Sequence, residues 1–228
     1  MPTVFDSIAI QLDSLTVVAM DEPSKDRANI TWQPSRVTSA ERERLFAHEP
    51  VTLWLTGLSA AGKSTLAFEV ERRLIIAGHA AVVLDGDNLR HGLSRDLGFA
   101  PQARHENLRR VAEVAKLMNG AGLIVLSAFI SPYRNDRSMA RDIIGAARFC
   151  EIHVSASLAA CEARDPKGLY RRARRGEVEE FTGISAPYEM PEHPALTLDT
   201  EADGVDACAA QLMSLMAPYL GPRRAQAR

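Results

Sequence analysis

Two hydrophobic periods alternate along this chain. Short apolar runs at 51–56, 80–84, 123–126, 150–154 and 196–198 have the length and β-branched content of buried strands. Between them apolar residues recur every three or four positions, the spacing of one helix face. Leu66, Val70 and Leu74 follow the first run in this way, and Leu108, Val111, Ala115 and Met118 predict a longer helix that stops at Asn119-Gly120. A further helix is expected around 158–164, and Val205, Ala209, Leu212, Met216 and Leu220 predict a closing one. Residues 39–45 read as a short capped helix ahead of the first strand. Strands separated by helices imply an α/β fold, a parallel sheet with helices on both faces. Ligands of such sheets collect at the carboxyl ends of the strands.

At those ends the polar residues become specific. The first run leads into Gly57-Leu58-Ser59-Ala60-Ala61-Gly62-Lys63-Ser64-Thr65, which has the spacing G-x-x-x-x-G-K-[ST] of a phosphate-binding loop. Strand, glycine loop and helix in that order let backbone N–H groups and a helix N-terminus surround phosphate oxygens. Lys63 then reaches the β- and γ-phosphates of a nucleoside triphosphate, and the Ser64 hydroxyl holds Mg²⁺. The second run ends in Asp85-Gly86-Asp87. Carboxylates there bind Mg²⁺ or accept the proton of an attacking hydroxyl, while a plain D-G turn explains the same residues. The residue after the third run, where a metal-supporting Asp is common, is Ser127, which shifts that role toward Asp85.

Composition narrows the class. The 228 residues are 46 % hydrophobic and 25 % charged, with a net charge of −2, as in an ordinary soluble globular protein without bulk nucleic-acid affinity. No apolar run approaches membrane-spanning length, and the acidic N-terminal stretch (Asp6, Asp13, Asp21, Glu22) is unlike a secretory or transit leader. Cys150, Cys161 and Cys208 show neither a disulfide framework nor zinc spacing, so a reducing cytoplasm is expected. Arginine outnumbers lysine 23 to 4, which suits forked recognition of phosphate or sulfate, although GC-rich coding explains the same bias. Arg90, Arg95, Arg104, Asn107, Arg109 and Arg110 cluster after the second run, and Arg104 and Asn107 lie one helical turn apart, able to meet one ligand. The basic stretch 164–176 reads as a lid that closes over phosphate, or as a solvated charged face. Phe99 and Phe181 suit stacking on a base and core packing equally well.

Taken together, GLSAAGKST at Gly57, DGDNLRHGL at Asp85, DLGF at Asp96, R-x-x-N-L-R-R at Arg104, FISPYRNDR at Phe129, CEARDPKGLY at Cys161 and FTGISAPYE at Phe181 resemble the adenylylsulfate kinase (APS kinase) family. The resemblance runs from about Asn29 through Pro194. It implies a phosphate-loop kinase fold and transfer of the ATP γ-phosphoryl group to the 3′-hydroxyl of adenosine 5′-phosphosulfate, with Mg²⁺. It also implies residue roles: Lys63, Asp85 and Ser131 in catalysis, the 57–65 loop and Arg164 on ATP, and Ser64 and Asp85 on the metal. Asp87, Arg90, Phe99, Arg104, Asn107, Ile130, Ser131, Lys167 and Phe181 would form the acceptor pocket, with the two phenylalanines around its adenine. A cytoplasmic homodimer working with ATP sulfurylase is expected. Residues 1–28 would be an extension, 29–222 the kinase domain and 223–228 a basic tail. The chain departs from the family pattern at Ala60-Ala61, where glycine is common at position 60. This costs little if that position needs no left-handed backbone. Competing readings are another small-molecule kinase, acting on gluconate, shikimate or a nucleoside, and a non-catalytic partner of the sulfate-activating enzyme. The first leaves the DGDN, FISPYR and RDPKGLY blocks unexplained, and intact Lys63, Ser64, Asp85 and Asp87 oppose the second. A guanine switch would need N-K-x-D or T-K-x-D, which is absent.

Overall fold

In the computed structural model, residues 30–31 and 33–221 are described, so the extension at 1–28 and the tail at 223–228 lie outside the described residues. The chain separates into two units, Met1–Arg36 and Val37–Arg228. In the second unit, α1 (Ser39–Phe46) starts at Thr38, whose hydroxyl and amide exchange hydrogen bonds with Glu41 in a capping box.

The other elements follow as β1 (Thr52–Thr56), α2 (Lys63–Ile76), β2 (Ala81–Asp85), α3 (Gly86–Arg90), α4 (Pro101–Gly120), β3 (Ile124–Ala128), α5 (Arg134–Ile144), β4 (Phe149–Ser155), α6 (Leu158–Arg164), α7 (Leu169–Arg174), β5 (Leu196–Asp199) and α8 (Val205–Met216). The five strands form one parallel sheet in the order β2-β3-β1-β4-β5. All five expected strands are present, within one or two residues of the predicted bounds.

The sheet is covered on both faces, as continuous apolar strands require. One core joins Leu53, Leu55, Leu126 and Ile152 to Leu66, Val70 and Leu74 of α2 and to Ala209, Leu212 and Met216 of α8. The other joins Trp54 and Val125 to Leu108, Val111, Ala112 and Ala115 of α4 and Ala140 and Ile144 of α5. The central strand β1 has β3 on one side and β4 on the other, so the chain leaves it in opposite directions. That switch point opens a crevice at the carboxyl edge, directly over the 57–62 loop.

Candidate active site

The loop after β1 is shaped by close approach. Gly57 lies so near the Val154 carbonyl that a Cβ there would collide with it, and Gly62 takes a left-handed angle (φ 99°) at the N-cap of α2. No side chain caps that helix start. Its first-turn N–H groups therefore face the loop with the favourable end of the helix dipole. Ala60 also adopts a left-handed angle, φ 59°. The condition under which alanine would cost little there is not met, and the residue carries a strain of about 1 kcal/mol that glycine would avoid.

Lys63 is buried and folded onto its own loop, with Nζ donating to the Gly57 carbonyl (2.9 Å) and the Leu58 carbonyl (2.6 Å). Burial pulls its pKa down to about 8, against the raising influence of Cys161, Asp85 and Asp87. Such an ammonium gains by exchanging two weak carbonyl partners for phosphate oxygens. The Ser64 hydroxyl donates to Asp85 Oδ2 at 2.6 Å. Asp85 Oδ1 accepts from the backbone N–H groups of Asp87 (3.1 Å) and Asn88 (3.2 Å) and thereby caps α3. The D-G pair is thus no simple turn but the start of a short helix, and it holds the Asp85 carboxylate against Ser64. Two hard oxygen donors at the mouth of a phosphate loop fit Mg²⁺, with phosphate and water completing the shell.

Around this centre the other expected residues fall into three groups. Asp87 forms an ion pair with Lys167, which reaches over from the segment between α6 and α7. The Arg90 guanidinium lies 4.3 Å from the centre of the exposed Phe99 ring and donates to the Leu97 (3.1 Å) and Gly98 (2.9 Å) carbonyls. Arg104 donates to the Phe99 carbonyl (2.7 Å) and the Glu180 carbonyl (3.3 Å), and its guanidinium lies 6.0 Å from the same ring. Burial lowers the pKa of both arginines, and for Arg90 the Arg104 charge adds to the effect. Two partly desolvated cations beside one ring offer positive charge that an anion could neutralise. Asn107 is buried on α4, and among the described residues its Oδ1 has no hydrogen-bond partner. Phe181, by contrast, is buried, edge-on to Tyr170 at 4.9 Å.

Ile130 and Ser131 form the third group. The Ile130 carbonyl accepts from the Gly57 N–H (3.5 Å) and the Thr56 hydroxyl (2.7 Å), which ties this segment to the phosphate loop. Arg164 bridges the loop and β5, donating to the Ala60 carbonyl (3.5 Å), the Thr200 hydroxyl (3.2 Å) and the Thr200 carbonyl (2.6 Å). Thr200 and Tyr170 escaped the sequence reading although both support the loop: Thr200 Oγ1 donates to the Ala61 carbonyl (2.8 Å), and Tyr170 OH donates to the Ser59 carbonyl (3.0 Å). Only the tyrosine of RDPKGLY offered a signal. The arginines of 164–176 are largely offset, since Arg172 and Arg175 pair with Glu177 and Arg174 with Glu162.

Residues 49–199, which carry these segments, match the family model for adenylylsulphate kinase. The chain belongs to that family. It is 50 % identical over 188 residues to the adenylyl-sulfate kinase of Staphylococcus carnosus (strain TM300), covering 82 % of this chain and 94 % of that one. It is 58 % identical over 173 residues to the adenylyl-sulfate kinase of Shewanella sp. (strain MR-7), covering 76 % of this chain and 84 % of that one. The APS kinase of Mycobacterium tuberculosis, solved in complex with AMPPNP and APS, aligns with a TM-score of 0.71 at 46 % identity, over 74 % of this chain and 98 % of that one. The chain is accordingly a phosphoryl-transferring kinase with the family's fold. No helix among the described residues is long and apolar enough to cross a membrane.

Proposed function

We propose that this kinase transfers the γ-phosphoryl group of ATP to the 3′-hydroxyl of adenosine 5′-phosphosulfate, giving 3′-phosphoadenosine 5′-phosphosulfate and ADP. The observation that carries the reading is the Thr56–Ile130–Gly57 junction, which ties the phosphate loop to the Ile130–Ser131 segment. Phosphoryl transfer depends mainly on positioning and charge neutralisation, and such a junction fixes the donor relative to the acceptor.

Within this reading the loop from Gly57 to Thr65 surrounds the triphosphate, Lys63 turns from its two carbonyls to the β- and γ-oxygens, and Arg164 flanks the nucleotide. Ser64 and Asp85 hold Mg²⁺, which when bound neutralises charge on the transferred group. Asp85 supports the metal and does not act as base, because one oxygen caps α3 and the other faces Ser64. Arg90, Arg104 and Asn107 receive the phosphosulfate, while Phe99, Phe181 and Ile130 hold its adenosine. Asp87 and Lys167 span the gap between acceptor and donor. The protein works in the cytoplasm as a homodimer beside the ATP sulfurylase that supplies its acceptor. An ADP-release assay tests the acceptor class: release should depend on adenosine 5′-phosphosulfate and not respond to gluconate, shikimate or adenosine. Equal release with any of these would refute the assignment.

A further inference from the structure

Ser131 has a left-handed backbone (φ 37°) and is 2 % exposed. A serine keeps such an angle only where its surroundings over-determine it. Here they act on both its polar groups. Its carbonyl accepts from Arg137 Nη1 (2.7 Å) and more distantly from the Thr56 hydroxyl (3.3 Å), and its Oγ accepts from the Trp54 indole N–H (3.2 Å). Trp54 is itself fully buried between Phe129 and Phe149, at centroid distances of 6.0 and 5.8 Å.

Arg137, 3 % exposed, spends three of its five N–H donors on protein. Its Nε donates to Glu151 on β4 (2.6 Å), its Nη2 donates to the Glu189 carbonyl (2.7 Å), and its guanidinium lies 6.0 Å from the Tyr188 ring. The Tyr188 hydroxyl in turn meets Thr56 Oγ1 at 3.0 Å. A buried cation anchored through all three nitrogens acts as a brace within the protein. It joins β4, the 130–133 loop and the 188–190 segment.

We infer that Arg137 and Trp54 are positioning residues for the acceptor side of the site, acting through Ser131. Arg137 holds the strained backbone by its carbonyl, and Trp54 fixes the hydroxyl. Because the indole N–H occupies one lone pair of Oγ, the Ser131 O–H is left to donate, which suits an anionic acceptor. The inference rests on the proposed reading of the 130–133 loop as part of the acceptor site.

Two variants test it. Arg137→Lys keeps a charge for Glu151 but lacks the fork that reaches two carbonyls at once. Trp54→Phe keeps the ring and removes the N–H. In each, the KM for adenosine 5′-phosphosulfate should rise by about tenfold or more, the scale of a lost charge-assisted or buried hydrogen bond. The KM for ATP and the Kd of a non-hydrolysable ATP analogue should stay within about twofold of wild type. If Arg137→Lys does not fold, Trp54→Phe decides alone. Equal rises for both substrates, or no rise for either, would overturn the positioning role. A wild type that never turns over the acceptor would instead overturn the proposed function itself.

Discussion

Raising the pH should weaken ATP binding through a single group, Lys63. Burial in the loop lowers its pKa to about 8, and among the described residues its Nζ donates to the Gly57 and Leu58 carbonyls. Bound triphosphate favours the charged ammonium and raises that pKa, so affinity requires a proton that the free protein loses as pH climbs through about 8. At about pH 7 nearly all of the lysine is protonated, and at about pH 9 roughly one tenth is. The apparent Kd for a non-hydrolysable ATP analogue should therefore rise about tenfold over that interval and a further tenfold per pH unit until the pKa of the complex is reached. Titration calorimetry at constant Mg²⁺ and ionic strength measures it directly, and proton uptake on binding, read from buffers of different ionisation enthalpy, should grow from about one half at about pH 8 to nearly one proton at about pH 9. Lys63→Arg, charged throughout this range, should bind more weakly but with a flat profile. A wild-type Kd that stays constant to about pH 9.5, or a slope that survives in Lys63→Arg, would refute the reasoning.

Other variants probe other parts of the site. Arg104→Ala should raise the KM for adenosine 5′-phosphosulfate at least about tenfold and leave that for ATP nearly unchanged, since Arg104 binds the Phe99 and Glu180 carbonyls; equal changes in steady-state kinetics would contradict the placement. Ser131→Ala should retain measurable turnover, and intact-mass analysis of the wild type under turnover should show no phosphoenzyme. A kinetically competent phosphoserine, lost together with all activity in the variant, would oppose direct transfer. Acid should destabilise the fold through His48 and His153, whose pKa values burial lowers, with the Arg137 charge adding to the effect at His153. The unfolded chain protonates these histidines at about 6.5 while the folded one resists, so stability present above that pH is lost as pH falls below it. The thermal midpoint should drop by a few degrees between about pH 7.5 and 5.5, and His48→Gln, which can still donate to the Gly122 carbonyl, should flatten part of that slope.

Strands and long helices were legible because they are written in apolar period. Leu66, Val70 and Leu74 face one core, and Leu108, Val111 and Ala115 face the other, as their spacing requires. Helix α5 was not, because two of its buried positions are charged: Asp136 meets His105 Nδ1 (2.6 Å) and Arg137 meets Glu151. A hydrophobicity pattern reads such residues as surface. Helices α3 and α7 are too short for a period and depend on local devices, the Asp85 cap and the buried Tyr170 and Ala173. In the site, a fixed spacing exposed Lys63 and Ser64. The partners that set their chemistry are remote in sequence: Asp85 lies 21 residues from Ser64, and Thr200 lies 139 from the loop carbonyl it supports. Left-handed angles at Ala60 and Ser131 carry no residue signal, since neither is glycine.

The central claim is that donor loop and acceptor segments form one site for transfer to a nucleotide 3′-hydroxyl. It is tested most directly by incubating the full chain with ATP, Mg²⁺ and adenosine 5′-phosphosulfate, separating the nucleotides by ion-pair chromatography, and locating the new phosphate by phosphorus NMR. The expected products are 3′-phosphoadenosine 5′-phosphosulfate and ADP in equal amounts, with neither formed by Lys63→Ala above about a thousandth of the wild-type rate. ADP released without a phosphorylated acceptor, or phosphate found at any other position, would contradict it.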